Sequence, residues 1–254
     1  VWRVFLKLTF LLLGIVAIIP LGLVCHRLKR YDLTAKIGQY YFKYAAWVIG
    51  LRVMVKGIAS PHRPLILVSN HISYLDIIAL GSIHPMIFTP KAEIASWPLI
   101  GWLCRLMGCV FIERKKHKTG NNLTAIEQAL DRNIPLLLFA EGTTSDSKRI
   151  LPIRSSYFKI VEDHKNDATP VAVQPIFLRY TRVHNLPIDL DSRHKIAWYG
   201  DMDLAPHASE LFQLGPIEAE VVYLDEIDIT TCNSRKEIAA TCENALVNNF
   251  NNLH

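Results

Sequence analysis

Between Leu8 and Cys25 the chain reads LTFLLLGIVAIIPLGLVC, eighteen residues without a charge. In a helix rising ~1.5 Å per residue such a run reaches ~27 Å, close to the ~30 Å hydrocarbon core of a bilayer. Arg3 and Lys7 precede it, and His26, Arg27, Lys29 and Arg30 follow. A secretory signal shares the basic start and the apolar middle. Against that reading, the run is longer than the usual apolar stretch of a signal, no small-x-small cleavage site follows, and basic charge occupies the place where cleavage would fall. The expectation is a retained membrane anchor. Its denser basic flank predicts that the rest of the chain lies on the cytoplasmic side. Pro20 removes one helical hydrogen bond and favours a kink.

The next segment, Tyr31 to Leu51, is helical by pattern and rich in aromatics (Tyr40, Tyr41, Phe42, Tyr44, Trp47). Lys36, Gln39 and Lys43 recur along one stripe, which suits a helix lying at a membrane interface with its lysines reaching for headgroups. An ordinary helix facing a protein core fits the same pattern. One full crossing and a helical hairpin dipping into one leaflet therefore both stand.

The remainder is long enough for one large domain or two small ones, since domains commonly run ~100–200 residues. Half of the 254 residues are hydrophobic and only 20% are charged, which excludes a disordered chain. The net charge of +5 favours anionic partners such as lipid headgroups, a phosphorylated substrate or an acidic carrier protein. Five cysteines without a C-x-x-C spacing point to reduced thiols and against a disulfide framework or zinc ribbon.

Strand and helix signals alternate along this part. Strands are expected at Leu65–Asn70, Met86–Thr89, Val110–Ile112, Leu136–Ala140, Ala172–Tyr180, Ile196–Tyr199 and Ile217–Leu224. Helices are expected at about Tyr74–Ser82, Trp97–Met107 and across Leu123, Ile126 and Leu130, the last stopped by Asn133-Ile134-Pro135. Ser234 with Glu237 makes a capping box that opens a final helix. The fold class is α/β, a single domain with a mixed, largely parallel sheet flanked by helices, preceded by the hydrophobic membrane helix or helical hairpin.

The residues suited to chemistry fall where strands end. Asn70-His71-Ile72-Ser73-Tyr74-Leu75-Asp76 places a histidine just past a strand and an aspartate five residues on. On one straight helix these two would face different ways. They meet if His71 lies in the turn and Asp76 in the first helical turn, with Ser73 as N-cap, and the carboxylate then fixes the imidazole tautomer. Ser73-x-x-Asp76 is equally a plain capping box. Three further segments follow: Gly108-Cys109-Val110-Phe111-Ile112-Glu113-Arg114, Phe139-Ala140-Glu141-Gly142-Thr143-Thr144, and Val171-Ala172-Val173-Gln174-Pro175.

In this order and spacing the four segments resemble the sequence blocks of the glycerolipid acyltransferase family, of the 1-acyl-sn-glycerol-3-phosphate acyltransferase type. Asn70, His71 and Asp76 match Asn-His-x4-Asp, and Gly108, Phe111, Ile112 and Arg114 match Gly-x-x-Phe-Ile-x-Arg. The likeness runs over roughly residues 60 to 180, plus the hydrophobic start. It implies residues 1–51 as membrane-anchoring helices and residues 52–254 as the catalytic domain. It also implies transfer of a fatty acyl group from a thioester, acyl-CoA or acyl carrier protein, to the sn-2 hydroxyl of 1-acylglycerol-3-phosphate, giving phosphatidic acid. His71 is then the general base and Asp76 its orienting partner, without an acyl-enzyme. Arg114 takes the family's phosphate-contacting position, where a guanidinium can bind two oxygens at once. Phe111, Glu141, Gly142, Thr143 and Thr144 join it as substrate-binding residues, with Gly142 allowing a tight turn whose backbone N–H groups face a headgroup or an oxyanion. An ordinary turn with Thr143 or Thr144 as a helix N-cap competes with that reading.

The chain departs from the family's Phe-Pro-Glu-Gly-Thr-Arg block, carrying Ala140 for the proline and Thr144 for the arginine. Threonine brings no charge, so Lys91, Lys148, Arg149 or Arg154 must supply the cation a phosphomonoester needs, or the acceptor is another lysolipid such as lyso-ornithine lipid. Expected partners are membrane lipids, a lysophospholipid acceptor and the acyl donor, which the basic run Lys115–Lys118 suits because both donors are acidic. No cofactor or metal is expected. Nucleic acid is not expected either, since that basic run lacks interleaved aromatics. G-x-S-x-G, H-E-x-x-H, G-x-x-x-x-G-K-[ST] and G-x-G-x-x-G do not occur. A non-catalytic membrane-associated lipid-binding protein explains the anchor and the charge but leaves the ordered blocks without a cause.

Overall fold

The computed structural model describes residues 2–113, 119–188 and 193–252. Helix α1 (Trp2–Arg27) runs unbroken through Pro20 for 26 residues, ~39 Å at ~1.5 Å per residue, which is long enough to cross a bilayer. Only 11% of its most apolar window is buried, leaving Phe5, Phe10, Leu13, Val16 and Leu21 exposed. A soluble domain does not present such a surface to water without a use for it.

After a short turn, helix α2 (Tyr31–Ile49) folds back along α1. The Tyr44 hydroxyl donates to the carbonyl of Phe10 (2.9 Å), and its ring packs where a side chain on Gly14 would sit. The two helices thus form a hairpin. Helix α2 is also core-facing: Ala45, Ala46 and Ile49 are buried, while Lys36 and Lys43 are exposed. Near the start of α1, Lys7 donates to the carbonyls of Ile49 (2.8 Å) and Phe212 (2.9 Å), fastening α1 to the domain.

Gly50, at φ 89°, ends α2 and turns the chain into β1 (Leu51–Lys56), where the helical pattern predicts no strand. Then follow β2 (Leu65–Ser69), α3 (Leu75–Ile83), β3 (Ile87–Phe88), α4 (Ile100–Leu106), α5 (Thr119–Leu130), β4 (Leu136–Leu138), α6 (Lys159–Asp163), β5 (Ala172–Val183), β6 (Leu186–Pro187), α7 (Leu204–Gln213), β7 (Ile217–Tyr223) and α8 (Arg235–Asn251). The sheet order is β1-β7-β5-β2-β4-β3, with β6 beside β5. Pairings are parallel except β5 with β7 and β5 with β6, so the sheet is mixed and largely parallel, as expected.

Strand β2 is buried on both faces, which is why LILVS reads as a continuous apolar run. Its alternation sends Ile66 and Val68 toward the layer containing α5, α6 and α8, and Leu65 and Leu67 toward α2, α3 and α7. At the opposite extreme, edge strand β1 is half-exposed and carries Arg52 and Lys56. Lys56 pairs with Glu220 at 2.6 Å, and charge on an edge discourages pairing with another chain.

One expected strand is reduced to a bridge and another is absent. Val110–Ile112 runs parallel to the end of β3, its amides donating to the carbonyls of Phe88 (3.0 Å) and Pro90 (2.9 Å), with one parallel bridge, Lys91 with Ile112. At Ile196–Tyr199 the Ala197 amide closes a turn onto Arg193 and the Trp198 amide donates to the Ile72 carbonyl (3.0 Å), so no neighbouring strand is paired. A short apolar run cannot distinguish such a buried turn from a strand. The expected helix at Trp97–Met107 is shorter than expected: Leu99 sits at φ 61°, α4 spans only Ile100–Leu106, and a separate 3-10 turn, Ala92–Ser96, precedes the range. The capping box at α8 is as expected, the Ser234 hydroxyl accepting from the Glu237 amide and Glu237 reaching back to the Asn233 amide (2.7 Å).

Candidate active site

Strand β2 lies inside the sheet between β4 and β5, and its carboxyl end opens into residues 70–74 before α3 starts. Parallel α/β sheets place ligands at this end of their strands. Asn70 fixes where the chain leaves the sheet. Its side-chain amide donates to the Leu178 carbonyl and accepts from the Leu178 amide, both at 2.8 Å, so a buried side chain stands in for one more residue of ladder between β2 and β5.

His71 follows, its side chain 13% exposed. Its ring stacks on Phe139 with centroids 3.8 Å apart and planes 14° from parallel. His71 Nδ1 lies 2.7 Å from Asp76 Oδ2. A carboxylate can only accept, so the bond assigns the hydrogen to Nδ1 and leaves the Nε2 lone pair for an incoming proton.

Asp76 is fully buried, and its charge is compensated by the number of donors around it. Besides the imidazole, Oδ2 accepts from the amides of Ile72 (2.7 Å) and Ser73 (3.0 Å), while the Tyr180 hydroxyl donates to Oδ1 (2.6 Å). The capping arrangement and the imidazole pairing are therefore one structure. Tyr74, not Ser73, is the cap position of α3, and the Ser73 hydroxyl accepts from the Leu75 amide (3.4 Å). Sequence reasoning overlooked Tyr180, which reaches Asp76 from β5.

The Phe139–Ser145 loop wraps the same histidine. Glu141 is buried, accepting from the His71 amide on Oε2 (3.3 Å) and from the Leu151 amide on Oε1 (3.2 Å). Burial pushes its carboxyl from an ordinary 4.5 up to about 8, against the pull of those two amides; the nearby Asp76 and Glu243 add to the rise. Its oxygens organise backbone, in contrast to the expected contact with substrate. Gly142 has φ 76°, the left-handed turn its position demands. Its N–H donates to the Phe139 carbonyl (3.1 Å), which corrects the expectation that this amide faces a ligand. The Ser145 amide donates to the His71 carbonyl (2.8 Å). Thr143 is exposed and Thr144 half-buried, and no helix starts at either, so the N-cap alternative falls away.

Arg154 is brought to this turn: its Nε lies 2.7 Å from where a β-carbon on Gly142 would be. Lys91 is ion-paired with Glu93, and Phe111 is half-buried next to the Lys91–Ile112 bridge. Neither makes a hydrogen bond or ring contact with the His71 cluster among the described residues. Arg114, and the basic run that follows it to Lys118, lie outside the described residues.

Against known proteins, residues 52–179 match the family model described as Acyltransferase. The lyso-ornithine lipid O-acyltransferase of Brucella abortus (strain 2308) is 32% identical over 245 residues, 95% of this chain and 91% of that one. The 1-acyl-sn-glycerol-3-phosphate acyltransferase of Neisseria gonorrhoeae is also 32% identical, but over 51% of each chain. In fold, the crystal structure of the 1-acyl-sn-glycerophosphate (LPA) acyltransferase PlsC from Thermotoga maritima is similar with a TM-score of 0.69 at 18% identity, covering 99% of this chain and 96% of that one.

Proposed function

This chain belongs to the acyltransferase family, and from that premise we propose that it esterifies the free hydroxyl of a lyso-ornithine lipid at a membrane, with His71 as general base. Acyl transfer to a lysolipid is what the names of the Brucella abortus and Neisseria gonorrhoeae relatives have in common. The base assignment is supported by the His71–Asp76 pair. Nε2 takes the proton of the acceptor hydroxyl while that oxygen attacks the thioester carbonyl. Collapse of the tetrahedral intermediate breaks the C–S bond, and the imidazolium returns the proton to the departing sulfur. Asp76 holds the imidazole in the tautomer that accepts and stabilises the cation formed.

The observation that carries the choice of acceptor is Thr144. A dianionic phosphomonoester calls for a guanidinium, whereas the headgroup of a lyso-ornithine lipid is an amino acid without phosphate, and an uncharged hydroxyl at this turn suits it. Similarity over 95% of the chain to a relative acting on that lipid supports the same reading. Arg154 favours the second reading, 1-acylglycerol-3-phosphate, because its guanidinium packs over Gly142 and supplies the charge Thr144 lacks.

The acceptor reaches the site from the bilayer that α1 enters, and the basic residues after the apolar run favour a domain on the cytoplasmic side. The test is a matched acceptor panel, lyso-ornithine lipid against 1-acylglycerol-3-phosphate, with wild type and Thr144→Arg. Wild type is expected to prefer the phosphate-free acceptor, and the variant to shift kcat/KM toward the phosphate by about tenfold, one good charge-assisted contact. Wild-type preference for the phosphate overturns the choice of acceptor. Equal inactivity toward both overturns the whole reading.

A further inference from the structure

Behind the catalytic segment lies an open cavity of about 700 Å³. Asn70 and Ile72, the residues on either side of His71, form part of its wall, as do Ser145, whose amide holds the His71 carbonyl, and Tyr180, whose hydroxyl holds Asp76. The cavity thus adjoins the reacting histidine without containing its ring.

Among the described residues its charge is one-sided. Lys148, Arg149, Arg179 and Arg193 line it, and no carboxylate does among the described residues. Arg179 is ion-paired with Glu220 at 2.7 Å, and Arg193 donates to the Ser147 carbonyl (2.9 Å). Lys148 and Arg149 are exposed at the rim, on the loop that leaves the Glu141 turn. Such a wall repels a headgroup bearing an ammonium and attracts a polyanion.

Of the reactants in the proposed reaction, the multiply charged one is the acyl thioester, which carries phosphate on its pantetheine arm in either form, coenzyme A or carrier protein. We propose that this cavity seats the phosphorylated head of the acyl donor, with the pantetheine arm running past Ile72 and Ser145 to bring the thioester to His71. The acceptor then approaches from the bilayer side and the donor from the cavity. This inference rests on the acyl-transfer reading with its phosphate-free acceptor, since 1-acylglycerol-3-phosphate would be a second polyanion suited to the same wall.

The test uses the full chain in detergent or vesicles. The double variant Lys148→Glu/Arg149→Glu replaces two exposed side chains, and the charge-keeping Lys148→Arg/Arg149→Lys serves as its rescue. Free coenzyme A binding is measured by calorimetry, which needs no turnover, on wild type, both variants and His71→Ala. Donor and acceptor KM are measured with acyl-CoA and with acyl carrier protein. Charge reversal is expected to raise donor KM at least about tenfold, to weaken coenzyme A binding in parallel if that is the donor, and to leave acceptor KM within about twofold; the rescue variant returns to near wild type. A response confined to the carrier-protein arm identifies that source of the same phosphate. Unchanged KM for both donors with unchanged coenzyme A binding, or a rise in acceptor KM instead, overturns the proposal. If no acceptor is turned over at all, calorimetry with coenzyme A and with phosphopantetheinylated carrier protein still decides the cavity, unchanged binding of both overturning it, while the acyl-transfer reading fails separately.

Discussion

His71 Nδ1 and Asp76 Oδ2 stand 2.7 Å apart although five residues separate them, because the carboxylate that orients the ring also caps the turn between them. The two members of the pair should therefore fail differently. His71→Ala removes the base alone and is expected to lower kcat by ~10²–10⁴-fold with a melting temperature within a few degrees of wild type. Asp76→Ala also strands the amides of Ile72 and Ser73 and the Tyr180 hydroxyl, each unsatisfied group costing about 1–3 kcal/mol, so activity and stability fall together. Thermal melts beside initial rates separate the cases, and a His71→Ala protein of wild-type activity rejects the base assignment.

Glu141 gives the domain a pH dependence of definite sign. Its folded carboxyl titrates at about 8, above the ordinary 4.5 it regains on unfolding. Between those values the folded state binds more protons than the unfolded one, so this group's contribution to stability is full below pH 4.5, declines as pH rises, and is gone above about 8. Glu141→Gln, neutral throughout, is expected to flatten that decline. Urea unfolding at intervals from pH 5 to 8.5 reads it out, and parallel slopes for wild type and variant count against the buried, protonated carboxyl.

What was legible in the sequence follows from how locally each feature is encoded. The β2 run, the His71–Asp76 pair and α3 lie within nineteen consecutive residues, Leu65 to Ile83, and hydrophobic pattern and turn chemistry suffice to place them. The bonds that immobilise the pair do not: Tyr180 reaches Asp76 across 104 residues of chain, and Asn70 reaches Leu178 across 108. Those contacts exist only because β5 is laid beside β2, and no spacing rule gives strand order. The same limit hid β1, whose half-exposed edge lacks the apolar run of a central strand. It also turned Ile196–Tyr199 into an expected strand, when those apolar residues instead pack as a turn under Ile72. Family blocks located Glu141 and Gly142, yet only the fold shows that the carboxyl and the Gly142 amide are committed to backbone.

Gly142 joins a positive-φ turn to the packing of Arg154, and so tests whether that guanidinium serves the acceptor. At φ 76° an alanine is disfavoured by roughly 1–2 kcal/mol, and its β-carbon would meet Arg154 Nε at 2.7 Å, so the guanidinium must move. Gly142→Ala is expected to lower the melting temperature by several degrees and, by displacing Arg154, to raise acceptor KM several-fold with donor KM unchanged. An unchanged acceptor KM in a visibly destabilised protein would mean that Arg154 does not contact the headgroup.

Tyr180 links the His71–Asp76 pair to the rest of the sheet, and its removal tests whether a buried carboxylate needs every donor it has. Burial raises the phenol well above its ordinary pKa, so it stays protonated and donates to Asp76 Oδ1 at all working pH values. Tyr180→Phe keeps the ring and deletes that one bond, worth ~1.5–3 kcal/mol when the acceptor is charged. The three remaining donors all sit on Oδ2, so the carboxylate is then held by one oxygen and free to swing about it. An imidazole aimed by a swinging partner spends less time in the productive pose, which lowers kcat without weakening either substrate. The expected result is a fall in kcat of about tenfold with donor and acceptor KM within twofold and a modest loss of stability. A large rise in KM with kcat intact would instead assign Tyr180 to the cavity it lines and leave Asp76 sufficiently held without it.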